Sequence, residues 1–268
     1  MLQDIAKTLA EVLLAGFVFS AIERWRPAAP SQSAWRADLV TDILYAVLPV
    51  FLYAPLAPRA FFAGAGFVFG GRTFGVPAVM SQPLWAQAAE ALVLMDFLGY
   101  LGHRLLHRGS LWSFHAIHHG AIEIDWLTAA RNHPVNVVVQ RIIVTAPLVL
   151  FGFSPLAICA AGPVFAFWGF LTHANLDTDF GPLRYLLVSP ALHRWHHTGL
   201  DEGGNKNFGD VFALWDVIFG TFYLPETKAT RFGLEDGPPA DLIGQTLWPL
   251  QRAYSEDLVM TPAETRPA

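Results

Sequence analysis

The sequence is poor in cysteine, poor in charge and, outside one stretch, without histidine. Its single cysteine, Cys159, excludes an internal disulfide and excludes thiolate metal sites and cysteine-held clusters as the centre of any chemistry. Charged residues make up 15% of the chain against 53% hydrophobic residues, with a mean hydropathy of +0.38. That is less charge than the surface of an ordinary soluble domain needs, and it points to a membrane protein. The net charge is −5, and no basic run is present that would track a phosphate backbone, so nucleic acid is not an expected partner. A dinucleotide fingerprint is missing as well. Gly64, Gly66 and Gly70 in "GAGFVFGG" do not fit G-x-G-x-x-G, and no βαβ pattern surrounds them.

What is abundant is apolar sequence. Four or five stretches are apolar enough to enter or cross a bilayer: 5–22, 38–57, 84–102, and the pair 136–153 and 155–171. Twenty helical residues at about 1.5 Å each reach roughly 30 Å, the thickness of the hydrocarbon core. The pair is separated only by Phe153, Ser154 and Pro155, which predicts a helical hairpin with both ends on one side. Asp4 and Glu11 argue for a retained first helix rather than a cleaved signal. Arginines follow the first apolar stretch and recur beside the later polar ones, so the positive-inside rule places 103–135 and 172–268 in the cytoplasm and 58–83 outside. The polar stretches are too short for a second core, and 1–268 reads as one integral membrane domain: N-terminal membrane helices over 1–89, a histidine-bearing region over 90–225, and a tail over 226–268.

All ten histidines fall between residues 103 and 197, with none in the first 102 residues or the last 71. His103 and His107 are spaced i, i+4 at the end of the third apolar stretch, so both rings share a helix face. His115, His118 and His119 form an H-x-x-H-H triplet, repeated by His193, His196 and His197, while His133 and His173 stand singly. One such pair is common on a helix. The whole set is the signature of a metal site, and one ion of about four ligands cannot use it, so two ions are expected. Imidazole suits iron, copper, nickel and zinc alike, so composition does not identify the element.

The order "DFLGYLGHRLLH" (96–107), "FHAIHH" (114–119), "RNHP" (131–134), "THANL" (172–176), "HRWHH" (193–197) and "KNFGDVFALWDVIFGTF" (206–222) resembles the sterol desaturase and fatty acid hydroxylase superfamily. The resemblance covers about 90–225 and implies an all-α, polytopic membrane helical bundle, with a cytoplasmic-side helical cap around a di-metal site. It implies a non-haem di-iron hydroxylase, or desaturase, acting with dioxygen on a lipid such as a sterol, carotenoid, fatty acyl chain or ether lipid. His103, His107, His115, His118, His119, His173, His193, His196 and His197 would be the iron ligands, with zinc a possible substitute. Asp177 stands where some relatives carry a further histidine. His133 is read as a pocket or outer residue, and Asn175 and Asp216 match family positions whose ordinary role would be capping or turn formation.

Asp96, Asp125, Asp177 and Asp210 are candidate acceptors for the second ring nitrogens of the ligands. Trp112, Phe114, Trp126, Trp168, Trp195 and Trp215 would line a lipid path or sit at the interface. Hydroxylation needs two electrons per turnover, and this sequence offers no redox cofactor motif. An external ferredoxin or cytochrome b5 type donor with its reductase is therefore expected, steered by Arg104, Arg108, Arg131, Arg184 and Arg194. The rival reading is a histidine-rich membrane metal-binding or metal-transport protein, which would place its ligands at mid-depth in spanning helices rather than beyond their ends.

Overall fold

The structure is a computed structural model, and it describes residues 2–52, 75–199 and 202–252. Every regular element among these residues is helical. The α-helices are α1 (Leu2–Trp25), α2 (Leu39–Leu52), α3 (Pro77–Met80), α4 (Leu84–Leu106), α5 (Trp112–His119), α6 (Pro134–Phe151), α7 (Pro155–His173), α8 (Pro190–His196), α9 (Leu214–Ile218) and α10 (Leu242–Arg252). Short 3-10 turns cover Gly109–Leu111, Trp126–Ala130 and Gly181–Tyr185. Of these elements α4, α6 and α7 are long and apolar enough to cross a membrane. The expected apolar stretch 38–57 is helical as far as Leu52, and its last five residues lie outside the described residues.

The hairpin expected at Phe153 to Pro155 is present. Gly152, at φ +84°, closes α6 in the left-handed conformation, which a side chain would strain. Ser154 then caps α7 by accepting from the Leu156 amide, with Pro155 in the first turn, where its missing N–H costs nothing. Gln87 of α4 accepts the Ser154 amide at 2.8 Å and fixes the hairpin tip to the base of α4. The α4 helix packs along both arms, more extensively than the arms pack on each other. Its contact face brings Ala91 and Met95 against Leu148, Phe153, Ile158 and Ala161. Small residues at such a face let helices approach where lipid removes the hydrophobic drive for their association. Val93, Leu101, Leu105, Val138, Ile142, Leu156 and Phe167 face outward, as a lipid-facing surface requires.

This topology puts the C-terminal end of α4, the start of α6 and the end of α7 at the same end of the bundle. His103, His133 and His173 mark these three points. The remaining elements cover that end. The α5 helix crosses it and is backed by Tyr45 of α2 and Trp248 of α10, which pack on Trp112, Ala116 and Ile117. Phe19 of α1 packs against Ala174 and Leu176 just beyond α7.

Candidate metal centre

Nine of the ten histidines converge in two groups at this end of the bundle. One holds His103, His107, His115, His119 and His196, the other His118, His173, His193 and His197, and within each group the candidate ligand nitrogens lie within 4.8 Å of one another. The groups adjoin, with the His119 ring stacked on His197 at 4.6 Å. Helix geometry explains the division. In α5 the i, i+4 pair His115 and His119 turns to the first group and His118 to the second. Along α8 and its C-terminal cap the order reverses, with His193 and His197 in the second group and His196 in the first. Each H-x-x-H-H triplet therefore serves both groups, two rings to one and one to the other.

Hydrogen bonds fix the protonation of several rings. The Nδ1–H of His103 donates to the Phe208 carbonyl at 3.0 Å, that of His118 to Arg131 at 3.1 Å, that of His173 to Gly169 at 2.7 Å and that of His196 to Lys206 at 2.7 Å. His115 Nδ1–H donates to the Asn136 side-chain oxygen at 3.1 Å. A carbonyl only accepts, so each of these Nδ1 atoms carries the proton and each neutral ring presents a lone pair at Nε2. Yet Nε2 of His103 lies 3.0 Å from Nε2 of His115, and Nε2 of His118 lies 3.0 Å from Nε2 of His173. Two lone pairs face each other in each group, an arrangement that calls for a cation between them.

Protonation of the rings is opposed. Burial first, and the neighbouring rings next, hold His107, His115, His118, His119, His193, His196 and His197 well below the ordinary imidazole range. A metal ion fits where a proton does not. Imidazole bonds of about 2.0–2.1 Å give ligand separations of about 2.9 Å at right angles and about 3.3 Å in a tetrahedron. The Nε2 atoms of His173, His193 and His197 are 3.0–3.2 Å apart. Nε2 of His119 and of His196 and both ring nitrogens of His107 are buried without a hydrogen-bond partner, a costly state that an ion would relieve.

The outer support differs from the sequence expectation. The acceptors of the ligand rings are four backbone carbonyls and one amide, and no carboxylate among Asp96, Asp125, Asp177 and Asp210 bonds a histidine. Asp96 acts one step further out. Its buried carboxylate accepts from Val211 N, Phe212 N and Trp215 Nε1 at 2.8–3.1 Å. Asp216 accepts from Phe208 N and Gly209 N. Together they hold the loop whose carbonyls at Lys206 and Phe208 orient His196 and His103. Asp210 lies against α4 where Gly99 leaves room, 2.7 Å from the place a Cβ would take, and burial followed by Asp96 and Asp216 pushes its carboxyl up to about 8.

His133 stands outside both groups. Its Nδ1 accepts the Val135 amide as the cap of α6, its Nε2–H donates to the Thr246 carbonyl at 3.2 Å, and Phe114 packs on its ring. Asn175 ties the chain after α7 to Ala29 through both its amide atoms. Asp177 is solvent-exposed, paired with Lys228 at 2.9 Å. Trp112 is buried and roofs the first group, 4.9 Å from His107 and 5.2 Å from His119, so it is neither interfacial nor lipid-facing. Arg131 and Arg194 are 1% and 4% exposed, which removes them from any docking surface. Asn136, the carbonyls of Gly169, Lys206 and Phe208, and the role of Arg131 were not read from sequence. Only Asn136, one helical turn after Asn132 and beside His133, carried a side-chain signal.

The architecture and the paired imidazole groups thus define a histidine-rich membrane protein with two groups of side chains, each able to hold a metal ion. The family model for fatty acid hydroxylase matches residues 88–221, half of the chain, and the chain belongs to that family, within the superfamily its motifs resembled. It is 34% identical to ornithine lipid hydroxylase OlsE of Rhizobium tropici over 180 residues, 66% of this chain and 54% of that protein. It is 30% identical to alkylglycerol monooxygenase of Homo sapiens over 153 residues, 54% of this chain and 32% of that protein. Over 211 residues, 70% of this chain and 33% of the relative, it is 26% identical to a very-long-chain aldehyde decarbonylase of Oryza sativa subsp. indica. The chain spans about half the length of the first of these relatives and about a third of the others. No solved structure matches it significantly.

Proposed function

We propose that the protein is a membrane monooxygenase that hydroxylates a C–H bond of a lipid with dioxygen, using two iron ions. His103, His107, His115, His119 and His196 would hold one ion, and His118, His173, His193 and His197 the other. The observation that carries this reading is the pair of facing Nε2 lone pairs, one in each histidine group. The chemistry such ions would supply is the activation of dioxygen: two electrons from a donor with two protons, and two more electrons from the C–H bond, reduce it, one oxygen atom entering the C–H bond and the other leaving as water. The chain's part is to keep the rings neutral and oriented through the Nδ1 bonds, to cover the first group with Trp112, and to hold the site at the end of lipid-facing helices. Two of the three named relatives act on ornithine lipid and alkylglycerol, which supports a lipid with a polar head. The hydroxylase and monooxygenase names of these two, and ligands gathered at helix ends, favour this reading over metal transport. Contacts of α1, α2 and α10 with the matched region join the described residues outside it to the same unit, which supports a single domain.

The two electrons come from an external carrier of ferredoxin or cytochrome b5 type with its reductase. Arg108, exposed beyond α4, and the half-exposed Arg184 remain available to it. The positive-inside bias puts the site on the cytoplasmic side, and labelling a cysteine at the exposed Ser110 in a Cys159→Ala background tests this: reaction with an impermeant reagent from outside intact cells would refute it. The function is tested by reconstituting iron-loaded protein with lipid extract, donor system and 18O-labelled dioxygen. One labelled oxygen atom per product molecule is expected. Absence of any such species across polar lipid classes, or fewer than two ions in freshly prepared protein, would overturn the proposal.

A further inference from the structure

Beneath the second histidine group lies a chain of five charged side chains: Asp38, Arg131, Asp42, Arg36 and Asp125. Arg131 Nε donates to Asp42 Oδ1 at 2.5 Å, and its Nη2 lies 3.2 Å from Asp38. Arg36 donates to the other oxygen of Asp42 at 2.5 Å and, through two nitrogens, to both oxygens of Asp125 at 2.7 Å. Asp42 is fully buried. Taking charges out of water costs several kcal/mol per ion, and well-packed apolar residues commonly stabilise a core as well or better. What alternating charges add is geometry, because the guanidinium fork fixes direction as well as distance.

The geometry here bears on one atom. The carbonyl of Arg131 accepts the Nδ1–H of His118, and that bond sets the tautomer and the aim of its Nε2. Within the second group His118 is alone in having a ring anchored from outside its own helix. The acceptor for His173 is Gly169, four residues back in α7, and the Nδ1 atoms of His193 and His197 are buried without a partner. Arg36, Asp38 and Asp42 all lie outside the family-matched residues 88–221.

We propose that Asp42, acting through Arg131, is a positioning residue for the four-histidine metal site, supplied by the N-terminal segment. The inference rests on the two-ion reading. Its selectivity follows from the contacts, since the acceptors for His103, His115 and His196 are Phe208, Asn136 and Lys206, and none of these groups bonds a member of the charge chain; Asn136 is held by Asn132.

The test uses the full chain in detergent, titrated with Fe(II) under anaerobic conditions, reading stoichiometry and affinity rather than turnover. Wild type should take two ions. Asp42→Asn should keep one at wild-type affinity and weaken the other about 10–100-fold, the range for partners that orient a ligand from outside. Asp38→Asn, which removes only the 3.2 Å contact, should shift the same ion less, and it serves if Asp42→Asn does not fold. In a His118→Ala background, Asp42→Asn should leave the remaining ion unchanged, because the route through His118 is already cut. A general loss of stability would instead weaken both ions. Two ions at wild-type affinity in Asp42→Asn, or equal weakening of both, would overturn the positioning role while leaving the two-ion reading intact. Fewer than two ions in wild type would overturn that reading, and the proposal with it.

Discussion

Acidifying the metal-free protein tests the assignment of the buried rings as neutral. In an unfolded chain each imidazole titrates near about 6.5. In the folded chain burial holds His107, His115, His118, His119, His193, His196 and His197 well below that value. Between the two values the unfolded state binds more protons, so stability is complete above the unfolded value and is lost as pH falls toward the folded ones. Once the unfolded rings are protonated, each contributes a slope of about 1.36 kcal/mol per pH unit, and seven together reach about 9.5 kcal/mol per pH unit. A whole domain is stable by only about 5–15 kcal/mol. The metal-free protein should therefore lose its tertiary structure over little more than one pH unit below about pH 6.5. Tryptophan fluorescence follows the change, since Trp112 packs on His107 and His119, and a pH-stat counts the protons taken up. Metal-loaded protein should persist to lower pH, because bound ions compete with protons for the same nitrogens. A metal-free melting temperature that stays flat from about pH 7.5 to about pH 5 would refute the reasoning.

Asp96→Ala strips the acceptor from one buried and two partly buried donors and should cost about 3 kcal/mol, read as a lowered melting temperature together with weaker metal binding in the five-histidine group. A change below about 1 kcal/mol would show that the 206–216 loop is held by other contacts. His133→Ala should cost about 1 kcal/mol through the lost cap of α6 and leave metal content unchanged; loss of an ion would place this ring in the site after all. Asp177→Ala removes an exposed pair worth about 0.5 kcal/mol or less and should change neither metal content nor activity, both measured on the same preparation.

Much of the bundle was legible because lipid imposes long apolar runs, and the hairpin because the break at Phe153 to Pro155 is punctuation that the backbone obeys, although the left-handed Gly152 that closes α6 was not read. The nine histidines were legible as a set because two H-x-x-H-H triplets and an H-x-x-x-H have no common structural use. Their division into two groups was not. At i, i+3 and i+4 the three rings share one broad helix face, and which edge of that face meets which partner depends on how α5 and α8 cross the bundle end. No local spacing encodes that crossing.

The outer support was the least legible part, for a chemical reason. A sequence search for the partner of a ligating imidazole looks for carboxylates, and four were available here. A carboxylate beside a neutral ring brings its own charge into a buried site, whereas a backbone carbonyl fixes the same tautomer without one. The chain uses carbonyls next to the rings and keeps its carboxylates a step away, where Asp96 and Asp216 gather amide donors and Asp42 holds an arginine. Every residue has a carbonyl, so such acceptors leave no trace in side-chain pattern. They can be found only by asking what holds each loop still, and in this fold the answers are buried acids, of which the sequence marked Asp96 as chemistry, read Asp216 as a turn former and left Asp42 unread.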